Sequence, residues 1–560
     1  MRSVTKLNLL RICQSILALL VILTGCSKLV STKQPSIKVN ENIENNPKWG
    51  SFYLRTMKMD NDQPWPEFEN PKPAPWMQMG LQKEIENDRT GWVQVNQKKM
   101  TIPKTHSNQQ IRLQTSPYTA NHLEVIADLD LDRLYRLDLN DLEDQDQLYH
   151  ITNLIQLKVL DMQEANLNDE GIVHLAGLKS LEALNLDDTY VGDSGLSHLT
   201  DLTNLRVIRL RETNVGDIGL MYLKKHSQLE ELAVPFFVGD KGMLALANLV
   251  KLKFLDLQSS QISDTGLSVL ANLRSLQILD LSHTRIYGKG LSYLKSRDLK
   301  SLNLSFVPLQ GQFLVHLSVL NNLEKLQLNR TPVDDEGLAY LANLKNLRQL
   351  ELKNSRVTGP GIEFLTGIKT LESLNLESCG VTDEIANHLS RLKNLRELNL
   401  FQTEVTEKTL AELSKMPNLQ DLSLGGFEWD LETVPGQPQK KPTLITDQGV
   451  AHLQNLTSLR RLSLQGASIT DQSAVYLSHL SQLEELSLSV TSIGDKSIAE
   501  ISIMPKLTVL DLNETEVGDQ SLPYLKEMTT LRRLVLRGTN MSNEARKELR
   551  QSLPDCQIWN

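Results

Sequence analysis

Gly192-Asp193-Ser194-Gly195 is the first place in the chain to look for a hydrolytic serine. Such a nucleophile needs a general base and an acid to orient it, and nothing around the tetrad supplies them. Gly216-Asp217-Ile218-Gly219 and Gly239-Asp240-Lys241-Gly242 repeat the same frame with Ile218 and Lys241 in the place of Ser194, so the tetrad belongs to a recurring pattern. His174, His198, His316, His388 and His452 each lie seven residues before a recurring leucine (Leu181, Leu205, Leu323, Leu395 and Leu459). That spacing places them on convex helical turns. His174 and His198 fall in adjacent turns, but two imidazoles without a third ligand make a poor zinc site. The acidic run from Asp128 to Asp146 lacks the glycine and terminal glutamate of a calcium loop. No phosphate-cradling glycine loop, paired-cysteine motif or His-Glu-x-x-His occurs. The expectation is no catalytic residue, no metal, no cofactor and no enzyme.

The elements that carry these residues follow from one phrase. Leu181-Glu182-Ala183-Leu184-Asn185-Leu186-Asp187-Asp188-Thr189-Tyr190-Val191 is the pattern, and its leading leucine recurs from Leu157 to Leu531 in steps of 24 residues, twice 23 and once 40. Leu134-Tyr135-Arg136-Leu137-Asp138-Leu139 adds an earlier unit, making 17. A period of 20–29 residues with this spacing is the signature of a leucine-rich-repeat solenoid, in which each unit buries its apolar side only against its neighbours. The expected fold is α/β: a horseshoe of about 17 repeats with a parallel concave β-sheet and short convex helices. Leu184 and Leu186 share one face of a short strand, and Asn185 faces the other way. Its counterparts, among them Asp161, Arg209, Asp256, Asp280, Ser423, Ser463, Ser487 and Asp511, are expected to form an exposed polar stripe on the concave face. The recurring aspartate (Asp193, Asp217, Asp240, Asp383, Asp471) reads as the N-cap of its own helix. The threonine before it (Thr189, Thr213, Thr284) reads as a partner for backbone groups of the next turn.

Units such as Leu371-Glu372-Ser373-Leu374-Asn375-Leu376-Glu377-Ser378-Cys379-Gly380-Val381-Thr382-Asp383 resemble the cysteine-containing leucine-rich repeats of F-box-associated proteins, and the threonine version resembles repeat proteins of environmental bacteria. The resemblance runs from about residue 130 onward and implies the fold more than the function, since a repeat scaffold hosts many partners. No F-box-like helical segment precedes the repeats, so the ubiquitin-ligase adaptor role of those relatives is not carried over.

The amino terminus reads as an address. Residues 1–25 combine a basic start (Arg2, Lys6, Arg11), an apolar run too short to span a bilayer, and Leu23-Thr24-Gly25-Cys26. The last four residues resemble the lipobox of bacterial lipoproteins, which implies lipid modification at Cys26 and anchoring in the cell envelope, at the outer membrane or on the periplasmic side. Residues 26–60 read as a flexible tether. Residues 61–130 carry Trp65, Trp76 and Trp92 among prolines and read as an N-terminal cap or a linker, 131–540 as the repeats, and 541–560 as a C-terminal cap. Removal of Arg2, Lys6 and Arg11 with the leader shifts the net charge from −9 to −12, which argues against nucleic acid as a partner. Cys379 and Cys556 lie about six repeats apart, far beyond disulfide reach at ~4.8 Å per strand.

Exposed aromatic residues are the commonest binding anchors. Phe236, Phe254, Phe306 and Phe401 occupy positions expected to be exposed on or beside strands. The 40-residue step is a 16-residue insertion within Gly425–Thr443 that carries Phe427, Trp429, Lys440 and Lys441. These eight residues are the expected partner-binding set. The expected function is recognition of a protein or an envelope polymer through the concave face by a monomeric, lipid-anchored protein. A structural spacer without a specific ligand and an enzyme housed in the N-terminal segment are the competing readings.

Overall fold

In the computed structural model, residues 134–140, 142–426 and 444–560 are described in full, together with residues 120, 123 and 124 and the backbone of five strands (Phe52–Thr56, Trp92–Val95, Ile111–Gln114, Glu428–Trp429 and Lys440–Lys441). Residues 50–560 form one unit of the fold; residues 1–49, including Cys26, lie outside the described residues.

Each repeat contributes a strand of three to five residues, as at Ala183–Asn185, and one or two short helices, a single turn at Asp193–Ser197 and about two turns at Glu407–Leu413. Consecutive strands pair in parallel with the inward residue of one unit opposite that of the next: Leu184 faces Ile208, Ile208 faces Leu232, and so on down the sheet. This register holds across the long unit, where Leu422 pairs with Leu462. A sheet of 18 such strands runs from Leu134–Asp138 to Gln557–Trp559 and is the leucine-rich-repeat architecture. At its N-terminal end Ile111–Gln114 adds in parallel, and Phe52–Thr56 pairs antiparallel with both Ile111–Gln114 and Trp92–Val95. Strand backbone therefore begins inside the stretch whose composition reads as a tether. The leucines that set the period are 0–3% exposed and form one continuous core.

The recurring aspartates do not cap their own helices. Asp217 is the first residue of its helix (Asp217–Leu220), and its Oδ1 accepts hydrogen bonds from Gly239 N at 2.8 Å and Gly242 N at 2.9 Å, both in the next repeat. Those amides belong to the N-cap and third positions of the helix Asp240–Met243, so a carboxylate from the neighbouring turn satisfies both ends of its first turn. Asp193 does the same one repeat onward, Asp264 accepts from Gly288 N and Gly290 N, and Asp169, Asp471 and Asp495 accept the N-cap amides of Gly192, Gly494 and Gly518. Sequence spacing gives the correct residue but the wrong helix, because the capped amide lies 22 to 26 positions away.

The corner between strand and helix is equally regular. Twelve non-glycine residues, among them Asp188, Phe306, Gln402 and Val490, have φ between 51° and 63°, and Gly466 and Gly538 occupy the same slot. The amides of eleven of the twelve, and of Gly466, reach the next turn, as with Asp188 N to Arg211 O at 2.8 Å. The threonine hydroxyl that follows bonds within its own turn and not to the next one: Thr189 Oγ1 donates to Leu186 O at 2.7 Å, and Thr213, Thr284, Thr331, Thr403, Thr491, Thr515 and Thr539 repeat the bond. Bending the chain through the left-handed corner brings the hydroxyl back over the carbonyl three residues earlier. On the opposite edge, Asn204, Asn322, Asn346, Asn394 and Asn418 donate to carbonyls of the preceding repeat at 2.7–3.0 Å. Beside them charges alternate in sign, with Lys158–Glu182 at 2.9 Å, Arg206–Glu230 at 2.8 Å and Lys253–Glu230 at 2.5 Å. Exposed pairs of this kind contribute about 0.2–1 kcal/mol each.

Candidate binding surface

Two columns of side chains face the concave side, one before and one after each inward residue. In the first half of the sheet these columns are closed by their own packing. Val159, Ala183, Phe254 and Ile278 are 6–9% exposed, and Asn185, Arg209, Asp256 and Asp280 are 1–7% exposed. The expected solvent-exposed stripe is therefore buried here. Neighbouring side chains sit one strand spacing apart on the inside of a curve, ~4.8 Å, too close for solvent to separate large groups. Phe254, expected to be exposed, is buried for this reason.

The charges in this half are consumed internally. Arg136 bonds Asp138 at 2.6 Å and Asp161 at 2.9 Å, Arg209 bonds Glu231 at 2.6 Å, and Arg211 reaches Asp187 at 3.4 Å and also pairs with Asp256. Burial pushes Asp187 up to about 6 despite the opposing charge of Arg211. Burial likewise raises Asp161 and Asp280, each helped by a neighbouring carboxylate, Asp138 and Asp256 respectively.

The second half is open. A trough of about 470 Å³ runs over the last six strands, walled by Asp421, Arg461, Glu485 and Arg533, floored by Ser423, Ser463 and Ser487, and ended by Val509, Val535 and Trp559. A shallower hollow of about 190 Å³, lined by Glu351, Asn375, Glu397, Asn399 and Asp421, continues it toward the middle of the sheet. Arg461 Nη2 bonds Asp421 Oδ2 at 2.5 Å. Burial alone would lower the Arg461 guanidinium, but that bond and the charges of Asp421, Glu485 and Glu397 hold it above its usual range. Asp421 is raised, first by burial and further by Glu397 and Glu485, against the pull of Arg461. Its Oδ1 is buried with no hydrogen-bond partner among the described residues.

Of the aromatic residues expected to bind, Phe236 and Phe306 are 51% and 43% exposed. Phe236 packs edge-on against Phe237, with ring centroids 5.4 Å apart. Phe306 occupies a left-handed corner on the rim, stacked on His283 of the preceding repeat at 4.0 Å with Arg330 of the following one 5.3 Å from its centroid. Phe401 is half-buried. The insertion leaves the solenoid at a corner where Gly425 and Gly426 have φ of 86° and 129°. A Cβ on Gly426 would lie 2.8 Å from Gln402 N, so only glycine fits. Its backbone forms a two-stranded antiparallel hairpin, Trp429 opposite Lys440 and Glu428 opposite Lys441. The Phe427 residue and the side chains of Trp429, Lys440 and Lys441 lie outside the described residues.

The sequence reading missed the trough. Its charged wall was legible as Asp421, Arg461, Glu485 and Arg533, all at the position before the inward leucine, where Val159, Ala183, Val207 and Ile278 stand in the first half. Trp559 gave no periodic signal, since it follows the last complete unit. Among the described residues no group of three or more histidine, cysteine or acidic side chains could hold a metal ion, and Cys379 and Cys556 are free thiols.

A model described as a leucine-rich repeat region matches residues 120–362, and a leucine-rich repeat model matches 368–389. Similar solved structures include an internalin from Listeria monocytogenes (22% identity, TM-score 0.43, 70% of this chain and 96% of that one) and a leucine-rich-repeat protein of Leptospira interrogans (21%, 0.49, 73% and 97%). A third is TLR13 in its complex with ssRNA13 (19%, 0.51, 77% and 63%). No curated protein matches the chain. At these identities the likeness is one of fold.

Proposed function

We propose that this leucine-rich-repeat solenoid is a binding protein of the cell envelope, anchored through a lipid on Cys26, that recognises a protein or an envelope polymer on its concave face. The observation that carries the reading is the open trough over the last six strands, beside a first half whose concave groups are already paired with one another. A spacer with no ligand has no need for a walled hollow that combines charge, hydroxyls and an exposed tryptophan. An acidic chain disfavours polyanions, nucleic acid among them.

Three experiments test this. Ser463→Arg puts a large side chain on the trough floor at a half-buried position, so the fold should persist while capture of a cross-linked envelope partner falls; unchanged capture would place recognition elsewhere. For the anchor, Cys26→Ala should abolish incorporation of a radiolabelled fatty acid, and continued labelling of the variant would refute lipidation at that site. Excision of the 16 residues added within Gly425–Thr443 should leave stability nearly unchanged, because loop length contributes little to closure entropy. It also decides whether Phe427, Trp429, Lys440 and Lys441 take part in binding, whereas Phe401, in the preceding repeat, is left in place.

A further inference from the structure

The trough is not uniform along its length. At one end Arg461 is a single cation among three carboxylates, bonded to Asp421 and within electrostatic reach of Glu397 and Glu485. That leaves two negative charges uncompensated, and one oxygen of Asp421 lacks a partner among the described residues. The other end carries three apolar side chains, Val509, Val535 and Trp559, the last 60% exposed, beside the opposite charges of Asp511 and Arg533. Beside the charged residues, on the same three strands, runs the column of Ser423, Ser463 and Ser487, small enough to leave room for a main chain and able to hydrogen-bond it.

Asp421 and Trp559 belong to the first and last of six consecutive strands. Five steps of ~4.8 Å separate them by ~24 Å, which an extended chain covers in about seven residues. Resting on the concave-face reading above, we propose that the trough holds an extended peptide segment of a partner protein bearing a lysine or arginine about seven residues from a bulky apolar side chain. The cation enters the Glu397–Asp421–Glu485 cluster, and the apolar residue packs on Trp559 and the two valines. A cation halves the negative excess that Arg461 leaves, and Trp559 offers its face to either an aliphatic or a cationic group. A neutral glycan would use the serines and the tryptophan but would leave the carboxylates uncompensated, and a polyanion would be repelled by them.

The test uses the full chain and a fluorescein-labelled nonapeptide with lysine at its second position, leucine at its ninth and glycine and serine elsewhere, followed by anisotropy in low salt. Saturable binding is expected, weakened about tenfold when glutamate replaces the lysine or when Glu397→Gln and Glu485→Gln are combined. Trp559→Ala should weaken the leucine peptide several-fold and have no effect on a glycine-ended one. Circular dichroism guards against misfolding, and the partly exposed sites leave the core intact. Equal binding of the lysine and glutamate peptides, indifference to the Glu397/Glu485 pair, or tighter binding of a neutral hexasaccharide would overturn the proposal. If neither peptide binds while Ser463→Arg still abolishes capture of the cross-linked partner, the peptide class is wrong and the concave reading stands; if Ser463→Arg has no effect on that capture, the concave reading itself fails.

Discussion

The inter-repeat carboxylate can be tested by pairing it with the glycine it touches. A Cβ built on Gly242 would lie 2.6 Å from Asp217 Oδ1, 3.0 Å from Val238 Cγ1 and 3.2 Å from Asp217 Cα. Gly242→Ala in the native background should gain about 1 kcal/mol of helix propensity but lose about 1–3 kcal/mol to overpacking, for a net cost near 1 kcal/mol. Asp217→Ala removes the acceptor of two backbone amides of the Asp240–Met243 helix and should cost about 2 kcal/mol, in the range measured for lost caps and charge-assisted bonds. In the Asp217→Ala background the nearest obstacle to a methyl group is gone, so Gly242→Ala should become neutral within about 0.5 kcal/mol. The expected coupling is about 1 kcal/mol. Solenoids unfold by neighbouring units and not as one two-state body, so the readout should be local. Hydrogen exchange of a peptide spanning Gly239–Met243, read by mass spectrometry, meets that need. If Gly242→Ala costs the same in both backgrounds, the methyl group does not meet the carboxylate and the placement of Asp217 is wrong.

Three further outcomes are expected. His226, fully buried in a slot that most other repeats fill with leucine, isoleucine or methionine, lies between Leu199 O and Leu223 O, each of which already accepts a backbone amide. Burial lowers its pKa below the ordinary 6.5, so the stability it permits is complete above that pH and is lost as pH falls below it. His226→Leu should shrink the drop in urea midpoint between neutral and mildly acidic buffer, and an equal drop in the variant would exclude His226 as its source. Asp187 should titrate near pH 6 by carboxyl carbon NMR; its protonated form stabilises the fold at low pH, an effect lost as pH rises from 3.8 through about 6, and a midpoint near 4 would contradict the burial argument. Val490 holds φ at 60°, which costs a β-branched residue about 1–2 kcal/mol, so Val490→Gly should raise the thermal midpoint, and a lower midpoint would mean that its packing outweighs the strain.

The period alone specified the strand, its inward leucines and its partners, because each of these depends on spacing within one unit. What the period could not specify were contacts that cross a unit boundary. Asp217 looks like an ordinary N-cap when read along the chain, and only the stacking of turns shows that its amides lie one repeat away. Thr189 failed in the opposite direction: a hydroxyl expected to reach across the boundary bonds at home, because the left-handed corner at Asp188 folds it back. Exposure failed for a third reason. Phe254 stands at a position that faces outward from its own strand, and its burial depends on Glu231 and Ile278, which are 23 and 24 residues away in sequence and one strand away in space.

These failures share a cause that also bears on function. The side chains that hold the solenoid together lie on its edges, as carboxylate-to-amide bonds on one side and asparagine and ion-pair ladders on the other, so the concave columns can vary without disturbing the stack. In the first half that freedom is used inward: Arg136, Arg209 and Arg211 each meet carboxylates of adjacent turns, and their removal from water leaves little charge for a partner. In the second half the same two columns carry serines and asparagines beside Glu397, Asp421, Arg461 and Glu485, whose charges do not balance. Small side chains and unbalanced charge cost this part of the sheet packing and Coulombic energy, yet they occur where the inward leucines are as well buried as anywhere in the chain: Leu422, Leu462 and Leu486 are 1–2% exposed. The core beneath the trough therefore gives no structural reason for the surface above it, and that is the ground on which the proposed recognition role rests.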